Sequence, residues 1–214
     1  MSAVAAQASA KVRIRNAARD VVLVDGGGTN LGSVHYALQR LGVSASLSDN
    51  AARIRAASHV ILPGVGAAAP GMARLREAGL IDVLRELRQP LLGVCLGMQL
   101  LFEHSEESDT PCLGLLPGKV RHFPQGGKLR IPHMGWNSLR VERNDDLLDG
   151  IGAGAFAYFV HSYAAPLGTH SIASTDHGGR FSAVVRHGNV CGMQFHPERS
   201  AATGARLLAN FLAL

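Results

Sequence analysis

Short apolar runs that alternate with helical patterns dominate the first half of the chain. The runs VVLVD from Val21, HVILPG from His59 and LLGV from Leu91 are apolar at nearly every position. Such continuous runs are typical of strands buried on both faces, because a half-exposed strand alternates apolar with polar residues. Between the first two runs, apolar residues from Leu31 to Leu41 recur at helical spacing. The alternation predicts an α/β fold with a mixed, largely parallel central sheet flanked by helices.

Further elements follow from the same patterns. VSASLS from Val43 alternates as a strand, and a single helix is predicted from Pro70 to Leu87. Between residues 114 and 194, short strands such as AFAYFVHSY are separated by Pro, Gly and Asn-Asp turns. Ser200 is predicted to cap a closing helix. The second half is therefore expected to be antiparallel and rich in strands.

One domain is predicted over residues 20–214. Residues 1–19 are rich in Ala, Ser and basic residues and contain no acid, a composition that resembles a transit peptide. No cleavage signal is evident, so we expect a disordered N-terminal extension instead.

Composition excludes several classes of protein. The formal net charge is +5, but the arginines are scattered and form no stripe that could follow a phosphate backbone, so no nucleic-acid partner is expected. No apolar run approaches the roughly 20 residues of a membrane span, so no membrane partner is expected. Cys95, Cys112 and Cys191 are widely spaced and form no CxxC pair, which argues against a disulfide framework or a metal site. A cytoplasmic location fits this cysteine usage.

The segment GVCLG at residues 93–97 places a thiol between a predicted strand and a predicted helix. This G-x-C-x-G pattern is the cysteine version of a nucleophile elbow, a strained turn that requires small neighbours. We expect Cys95 to project into solvent at the carboxyl edge of the sheet, beside N–H groups that favour a thiolate. The motif alone leaves a buried structural cysteine open as the alternative.

A thiol nucleophile needs a base and a group that orients the base. In GMQFHPERS, His196 and Glu198 lie two residues apart, so in an extended segment both would point the same way. Together with the elbow, they predict a triad of Cys95, His196 and Glu198. Cys191 is expected in the core and Cys112 in a loop without a role.

Several stretches together resemble a known family. GVCLGMQLLF and QFHPE resemble the class I glutamine amidotransferases, which implies a flavodoxin-like sheet. LPGVGAAAPGM, IPHMGWNS and YFVHSY narrow the resemblance to the glutaminase subunits of imidazole glycerol phosphate synthases. The resemblance implies that Cys95 attacks the side-chain amide of L-glutamine, that His196 moves protons and that Glu198 orients His196. It also implies that ammonia passes to a (β/α)8-barrel cyclase, the partner in a heterodimer of histidine biosynthesis, and that no cofactor is needed.

The same resemblance implies roles for residues outside the triad. Backbone around Val65 and the Leu96 N–H would form the oxyanion hole, and Gln99 and the backbone of residues 161–163 would hold the substrate. The implied oxyanion and substrate residues are Gly64, Val65, Gly66, Leu96, Gln99, His161, Ser162 and Tyr163, and the implied partner-interface residues are Met134, Trp136, Asn137 and Arg199. Gly26 stands where the family often has an aromatic residue, and Arg199 where it usually has lysine; both departures concern docking.

Other functions stay open at this point. A stand-alone thiol hydrolase of the same fold, or a glutaminase subunit of another synthase, would carry the same triad, although PHMGWN favours the imidazole glycerol phosphate synthases. A non-catalytic binding module would be expected to have a broken triad. The glycines of LPGVG also suggest gating, in which the peptide between Gly64 and Val65 turns its N–H into the site only when the partner docks.

Overall fold

A computed structural model describes residues 19–25, 31–124 and 129–214 of the chain. Almost all of the predicted extension, together with Gly26, lies outside the described residues.

Strands and helices alternate through the first half, which confirms the predicted α/β pattern. The elements are β1 (Val21–Val24), α1 (Leu31–Arg40), β2 (Ala45–Ser48), α2 (Ala51–Ala56), β3 (His59–Gly64), α3 (Ala68–Glu77), α4 (Ile81–Glu86), β4 (Leu91–Cys95) and α5 (Leu96–Leu100).

The prediction of one helix from Pro70 to Leu87 was wrong in two respects. Helix α3 begins at Ala68, because Pro70 falls in the first turn, where backbone N–H groups have no partner within the helix. The chain then breaks at Gly79, which has φ +67°, before α4 begins. Helix α2 was missed, although Asn50 caps it by accepting a hydrogen bond from the Arg53 N–H at 3.0 Å.

Short strands make up most of the regular secondary structure in the second half, as predicted. They are β5 (Phe102–Ser105), β6 (Thr110–Pro111), β7 (Leu116–His122), β8 (His133–Ser138), β9 (Arg140–Val141), β10 (Phe156–His161), β11 (Tyr163–Ala164), β12 (Ser171–Asp176), β13 (Arg180–His187) and β14 (Val190–Met193), followed by helix α6 (Ala201–Phe211). Three 3₁₀ helices occur in the described residues, at Glu107–Asp109, Asp146–Leu148 and Pro197–Arg199.

The large sheet has the strand order β2-β1-β3-β4-β14-β13-β12-β9. It is parallel from β2 to β14 and antiparallel beyond, so the predicted mixed, largely parallel sheet is confirmed. Alternate residues of its strands pack on opposite faces. One face is covered by α1 and α6, and the other by helices α2 to α5.

Two smaller sheets complete the fold, β10-β8 and β11-β7-β5-β6. Strand β4 lies between β3 and β14, and all three run in the same direction. Their carboxyl ends therefore meet at one edge of the large sheet. This arrangement brings the segment that follows β14 next to Cys95, although the two are far apart in sequence.

Helix α5 packs on β3 and β4 at backbone contact. A Cβ atom at Gly97 would overlap the carbonyl oxygen of Leu62 in β3, and one at Gly93 would lie 2.6 Å from the Gly97 carbonyl oxygen. A Cβ at Gly64 would lie 2.5 Å from the Gly97 nitrogen. Real Cβ atoms do not make such contacts, so these three positions require glycine.

We predict that Gly97→Ala strongly destabilises the protein. The added methyl group would push α5 away from β3, and overpacking of this kind costs about 1–3 kcal/mol of unfolding free energy, with backbone clashes at the upper end. Gly152→Ala is the matched control, because a Cβ there meets nothing within 4 Å. Urea denaturation of both variants measures the difference. Equal stability would show that α5 can shift without cost.

Candidate active site

Cys95 lies at the junction between β4 and α5, as the elbow motif predicts. Its backbone has φ +54° and ψ −112°, a conformation that a residue with a side chain rarely adopts. The expectation that the thiol projects into solvent was wrong. Cys95 is only 7% exposed, and its Sγ lies 4.0 Å from the carbonyl oxygen of Val160. Strand β10 covers the elbow, and the thiol lines a cavity beside it.

His196 and Glu198 meet, but not through the extended segment that was predicted. Strand β14 ends at Met193, and Pro197–Arg199 forms a 3₁₀ helix. This turn brings Nδ1 of His196 to 3.0 Å from Oε1 of Glu198. Both side chains are almost fully buried. The carboxylate can only accept, so Nδ1 of His196 carries the proton and Nε2 is left for the thiol.

The backbone of His196 is fixed from both sides. Its N–H donates to the carbonyl oxygen of Tyr158 in β10 at 2.9 Å. The Ser200 hydroxyl donates to the His196 carbonyl oxygen at 2.7 Å and accepts from the Tyr158 N–H at 2.9 Å. Ser200 does stand at the N-cap position of α6, but its hydroxyl makes no capping hydrogen bond there. It holds the catalytic turn against β10 instead.

The surroundings of His196 favour a charged imidazole. Burial alone would lower the pKa of His196, but its interactions with Cys95 and Glu198 outweigh burial and raise it to about 10. A cationic imidazole beside the cavity can give a proton to a leaving group. The three residues can therefore supply a nucleophile, a proton donor and a group that holds the donor in place.

A cavity of about 330 Å³ opens beside the triad. Most of the predicted oxyanion and substrate residues line it. These lining residues are Val65, Gly66, Leu96, Gln99, His161, Ser162 and Tyr163. Cys95 and His196 of the triad line the cavity as well. Gly64 is not among the lining residues; it pairs with Cys95 in the β3–β4 ladder. The size suits a small metabolite, and the roles of these residues stay predictions.

Gln99 is held in one orientation. Its Nε2 donates to the carbonyl oxygen of Tyr163 at 2.9 Å and to Oε1 of Gln194 at 3.1 Å. A backbone carbonyl only accepts, so the atom beside it must be the amide nitrogen. Oε1 of Gln99 is then the atom that can accept a hydrogen bond from a ligand.

Glu107 is a cavity residue that no sequence pattern indicated. It lies in the first 3₁₀ helix and lines the cavity. Its Oε2 accepts a hydrogen bond from the N–H of Ala68, the first residue of α3, at 2.7 Å. This bond anchors the chain just beyond the predicted oxyanion segment. The acidic run EHSEESD after the elbow was the available signal, but nothing in it distinguishes one acid from the next.

The predicted interface residues do not share one face. Met134 and Trp136 are 63% and 53% exposed and point outward from β8. Asn137 alternates with them and points inward, where its Nδ2 donates to the carbonyl oxygen of Asp176 at 2.7 Å. Arg199 lies 4.8 Å from the ring of Tyr158, which is the cross-strand neighbour of Trp136.

Phe156, on the same side of the β8–β10 pair, is 52% exposed and was not predicted. An exposed group of large apolar side chains is typical of a protein-binding surface. We call these five residues the docking face: Met134, Trp136, Phe156, Tyr158 and Arg199.

The other cysteines have no such surroundings. Burial raises the pKa of Cys112 to about 11 and that of Cys191 to about 12. Cys191 lies in β14 and is fully buried, as predicted. Cys112 follows β6 and is also buried. Both remain neutral thiols at physiological pH.

Within the described part of the chain, no three His, Cys, Asp or Glu side chains are arranged to bind a metal ion. None of the described helices has the length and apolar character needed to cross a bilayer.

Comparison with known proteins agrees with this geometry. The sequence model of the family "Glutamine amidotransferase class-I" matches residues 22–214. The chain is 62% identical over 195 residues to "Imidazole glycerol phosphate synthase subunit HisH" of Xanthomonas axonopodis pv. citri, a match that spans 91% of this chain and 98% of the relative. The chain belongs to the HisH family of class-I glutamine amidotransferases. The HisH protein of Xylella fastidiosa strain Temecula1 is 60% identical over the same shares of the two chains.

Solved structures have the same fold. A glutamine amidotransferase crystal structure superposes with a TM-score of 0.70 at 26% identity, over 90% of this chain and 97% of the other. A glutamine amidotransferase from Thermotoga maritima reaches a TM-score of 0.60 at 16% identity, over 92% of this chain and 84% of the other. The second likeness concerns the fold alone. The resemblance noted in the sequence is thus confirmed at the level of family and fold.

We predict that iodoacetamide modifies Cys95 selectively at pH 7. Cys95 lines the cavity beside the cationic His196, within reach of the reagent, whereas burial keeps the other two cysteines protonated. Peptide mass spectrometry after brief treatment should find at least about tenfold more label on Cys95 than on Cys112. Equal labelling of the two would mean that the thiol is not activated.

Proposed function

We propose that this chain is the glutaminase subunit of an imidazole glycerol phosphate synthase. It would hydrolyse L-glutamine to L-glutamate and pass ammonia to a cyclase subunit, which makes imidazole glycerol phosphate and aminoimidazole carboxamide ribotide in histidine biosynthesis. One observation carries the proposal: Cys95, His196 and Glu198 converge beside a cavity of about 330 Å³. Family membership adds the substrate class, and the names of the relatives add the synthase.

The triad geometry supports a two-step reaction. The Cys95 sulfur attacks the side-chain carbonyl carbon of glutamine, and the electron pair of the C=O bond moves to oxygen. The tetrahedral intermediate collapses as His196 gives its proton to the departing nitrogen, so that ammonia leaves and a glutamyl thioester remains. His196, now neutral, takes a proton from water, and the resulting hydroxide attacks the thioester to release glutamate and the thiolate.

The negative oxygen of each tetrahedral intermediate needs N–H donors. Leu96 supplies one candidate, because its N–H lies at the start of α5 directly after the nucleophile. Backbone of Val65 and Gly66 lines the same cavity from the end of β3. Gly66 has φ +90°, a conformation that favours glycine. These positions agree with an oxyanion hole between the end of β3 and the elbow.

Two acceptors can receive the α-ammonium group of glutamine. Gln99 presents Oε1 because its amide nitrogen is already bonded to Tyr163. The Glu107 carboxylate contributes the negative charge that an ammonium group pairs with. Backbone groups of residues 161–163 would hold the α-carboxylate. The site would then select a free amino acid over a glutamine within a peptide.

The docking face is the proposed surface for the cyclase. It combines exposed apolar side chains with the cation of Arg199, a composition typical of interface cores. Strands β8 and β10 carry this face, and β10 also supplies Val160 and His161 to the cavity wall, so docking can reach the site through β10. We propose that docking turns a backbone N–H of the Gly64–Val65 region into the oxyanion hole. We also propose that the pair works in the cytoplasm, where the three free cysteines stay reduced.

We predict that Cys95→Ala abolishes glutaminase activity in the complex with the cyclase. The loss should exceed the roughly 100- to 10,000-fold typical of a single acid–base group, because the nucleophile itself is removed. Cys112→Ala makes the same change at another buried thiol and should leave the rate within about twofold of wild type. Glutamate release, followed with a coupled dehydrogenase assay, measures both. Turnover by Cys95→Ala close to the wild-type rate would refute the triad.

We also predict that the chain alone is nearly inactive and is stimulated at least about 100-fold by the cyclase with its nucleotide substrate bound, the effect of one oxyanion donor. Ammonia released without an acceptor would be wasted, so glutamine hydrolysis is useful only when the cyclase and its nucleotide are bound. The same assay, run with and without the partner, measures the ratio. A full rate for the chain alone would favour a stand-alone hydrolase of this fold.

A further inference from the structure

A line of hydrogen bonds runs from the interior face of β8 to the cavity wall. Nδ2 of Asn137 lies 3.2 Å from Nε2 of His133, and Nδ1 of His133 lies 3.1 Å from Nε2 of His161. Nδ1 of His161 lies 2.8 Å from the carbonyl oxygen of Tyr163. His161 and Tyr163 line the cavity, whereas His133 and Asn137 lie behind it.

Every hydrogen bond in this line is donated toward the Tyr163 carbonyl oxygen. The Tyr163 carbonyl only accepts, so Nδ1 of His161 carries the proton and its Nε2 accepts from Nδ1 of His133. Nε2 of His133 in turn accepts from Asn137. The amide of Asn137 is oriented independently, because its Nδ2 donates to the Asp176 carbonyl oxygen and its Oδ1 accepts from the Ser138 N–H at 2.8 Å. Each donor therefore meets an acceptor.

Both imidazoles must be neutral for this arrangement, and their surroundings keep them so. Burial, followed by the charge of His177, lowers the pKa of His133 to about 4. Burial lowers the pKa of His161 to about 3, although its hydrogen bond to Tyr163 acts in the opposite direction. A second proton on either ring would place two donors face to face.

The two ends of the line have different surroundings. At the inner end, the Tyr163 carbonyl also accepts from Nε2 of Gln99 at 2.9 Å, the bond that orients Gln99 toward the cavity. At the outer end, His133 and Asn137 alternate along β8 with Met134 and Trp136, which belong to the docking face. One strand thus carries surface contacts on one side and the line of hydrogen bonds on the other.

We propose that His133 and Asn137 are positioning residues for glutamine binding. They hold residues 161–163 and Gln99 in place, and they connect the docking face to the substrate cavity. The inference rests on the proposed function, since it assigns these residues to the glutamine site, but the hydrogen bonds themselves can be tested without any activity.

The test compares His133→Phe with His177→Phe in the complex with the cyclase and its nucleotide. The His133 ring stacks on His177 at 4.2 Å and on Phe159 at 4.9 Å, so phenylalanine keeps the stacking and removes both hydrogen bonds. His133→Phe should raise the glutamine KM about fivefold to tenfold, the effect of losing the one bond that holds His161 at the cavity wall, with kcat within about threefold. His177→Phe changes the stacked ring outside the line and should leave KM within about twofold.

A conservative variant and a stability measurement complete the test. His133→Asn places an amide nitrogen near the position of Nδ1 and should restore most of the wild-type KM. A lower melting temperature of His133→Phe with an unchanged KM would mean that the hydrogen bonds only stabilise the fold, and it would overturn the proposal. An equal rise of KM in His177→Phe would do the same, because ring packing would then explain both.

Nitrogen-15 NMR of the histidine side chains is independent of catalysis. Both His133 and His161 should be neutral at pH 7 and protonated on Nδ1, and the His161 signals should shift in His133→Phe. A ring protonated on Nε2, or an imidazolium, would overturn the line of hydrogen bonds. If wild-type complex releases no glutamate, the proposed function fails, whereas the NMR result still decides whether the line exists.

Discussion

The backbone contact between α5 and the strands beneath it determines where the nucleophile can be. Gly93 and Gly97 flank Cys95, and Gly64 faces the elbow from β3. Any side chain at these positions would lift α5 from the sheet. Without this contact, Cys95 would lose the support for its positive φ, and the Leu96 N–H would move away from the end of β3. The proposed oxyanion segment and the proposed nucleophile are thus neighbours because three glycines let two backbones touch.

The order of the strands brings His196, the proposed base, next to Cys95. Strand β14 is added beside β4 in parallel, so the residues after it emerge at the same edge as Cys95. The 3₁₀ helix then turns Glu198 back onto His196, and α6 packs closely on that turn, since a Cβ at Gly204 would overlap the Pro197 carbonyl oxygen. Burial makes the pair effective, because a carboxylate removed from water holds the imidazole more strongly than an exposed one.

Sequence patterns predicted the parallel strands, the elbow and the two other triad residues, because each depends on local spacing. The burial of Cys95 was not predictable in this way, since β10, which covers it, is remote in sequence. The prediction that residues 196–198 form an extended segment was wrong, because Pro197 also suits the first position of a 3₁₀ helix. Glu107 was missed for a related reason: its contact with Ala68 joins a 3₁₀ helix to the start of α3, which is remote in sequence, and no local pattern indicates such a contact.

The alternation of side chains along β8 and β10 explains how this two-stranded sheet can carry the docking face on one side and the line of hydrogen bonds on the other. In a strand, neighbouring residues face opposite sides. Met134 and Trp136 are therefore exposed, while His133 and Asn137 point inward to His161. A shift of the β8 backbone on partner binding would therefore move the inner side chains together with the outer ones. Hydrogen-bonded polar side chains resist such displacement, and in the proposal above the bonds of His133 connect the position of β8 to the cavity.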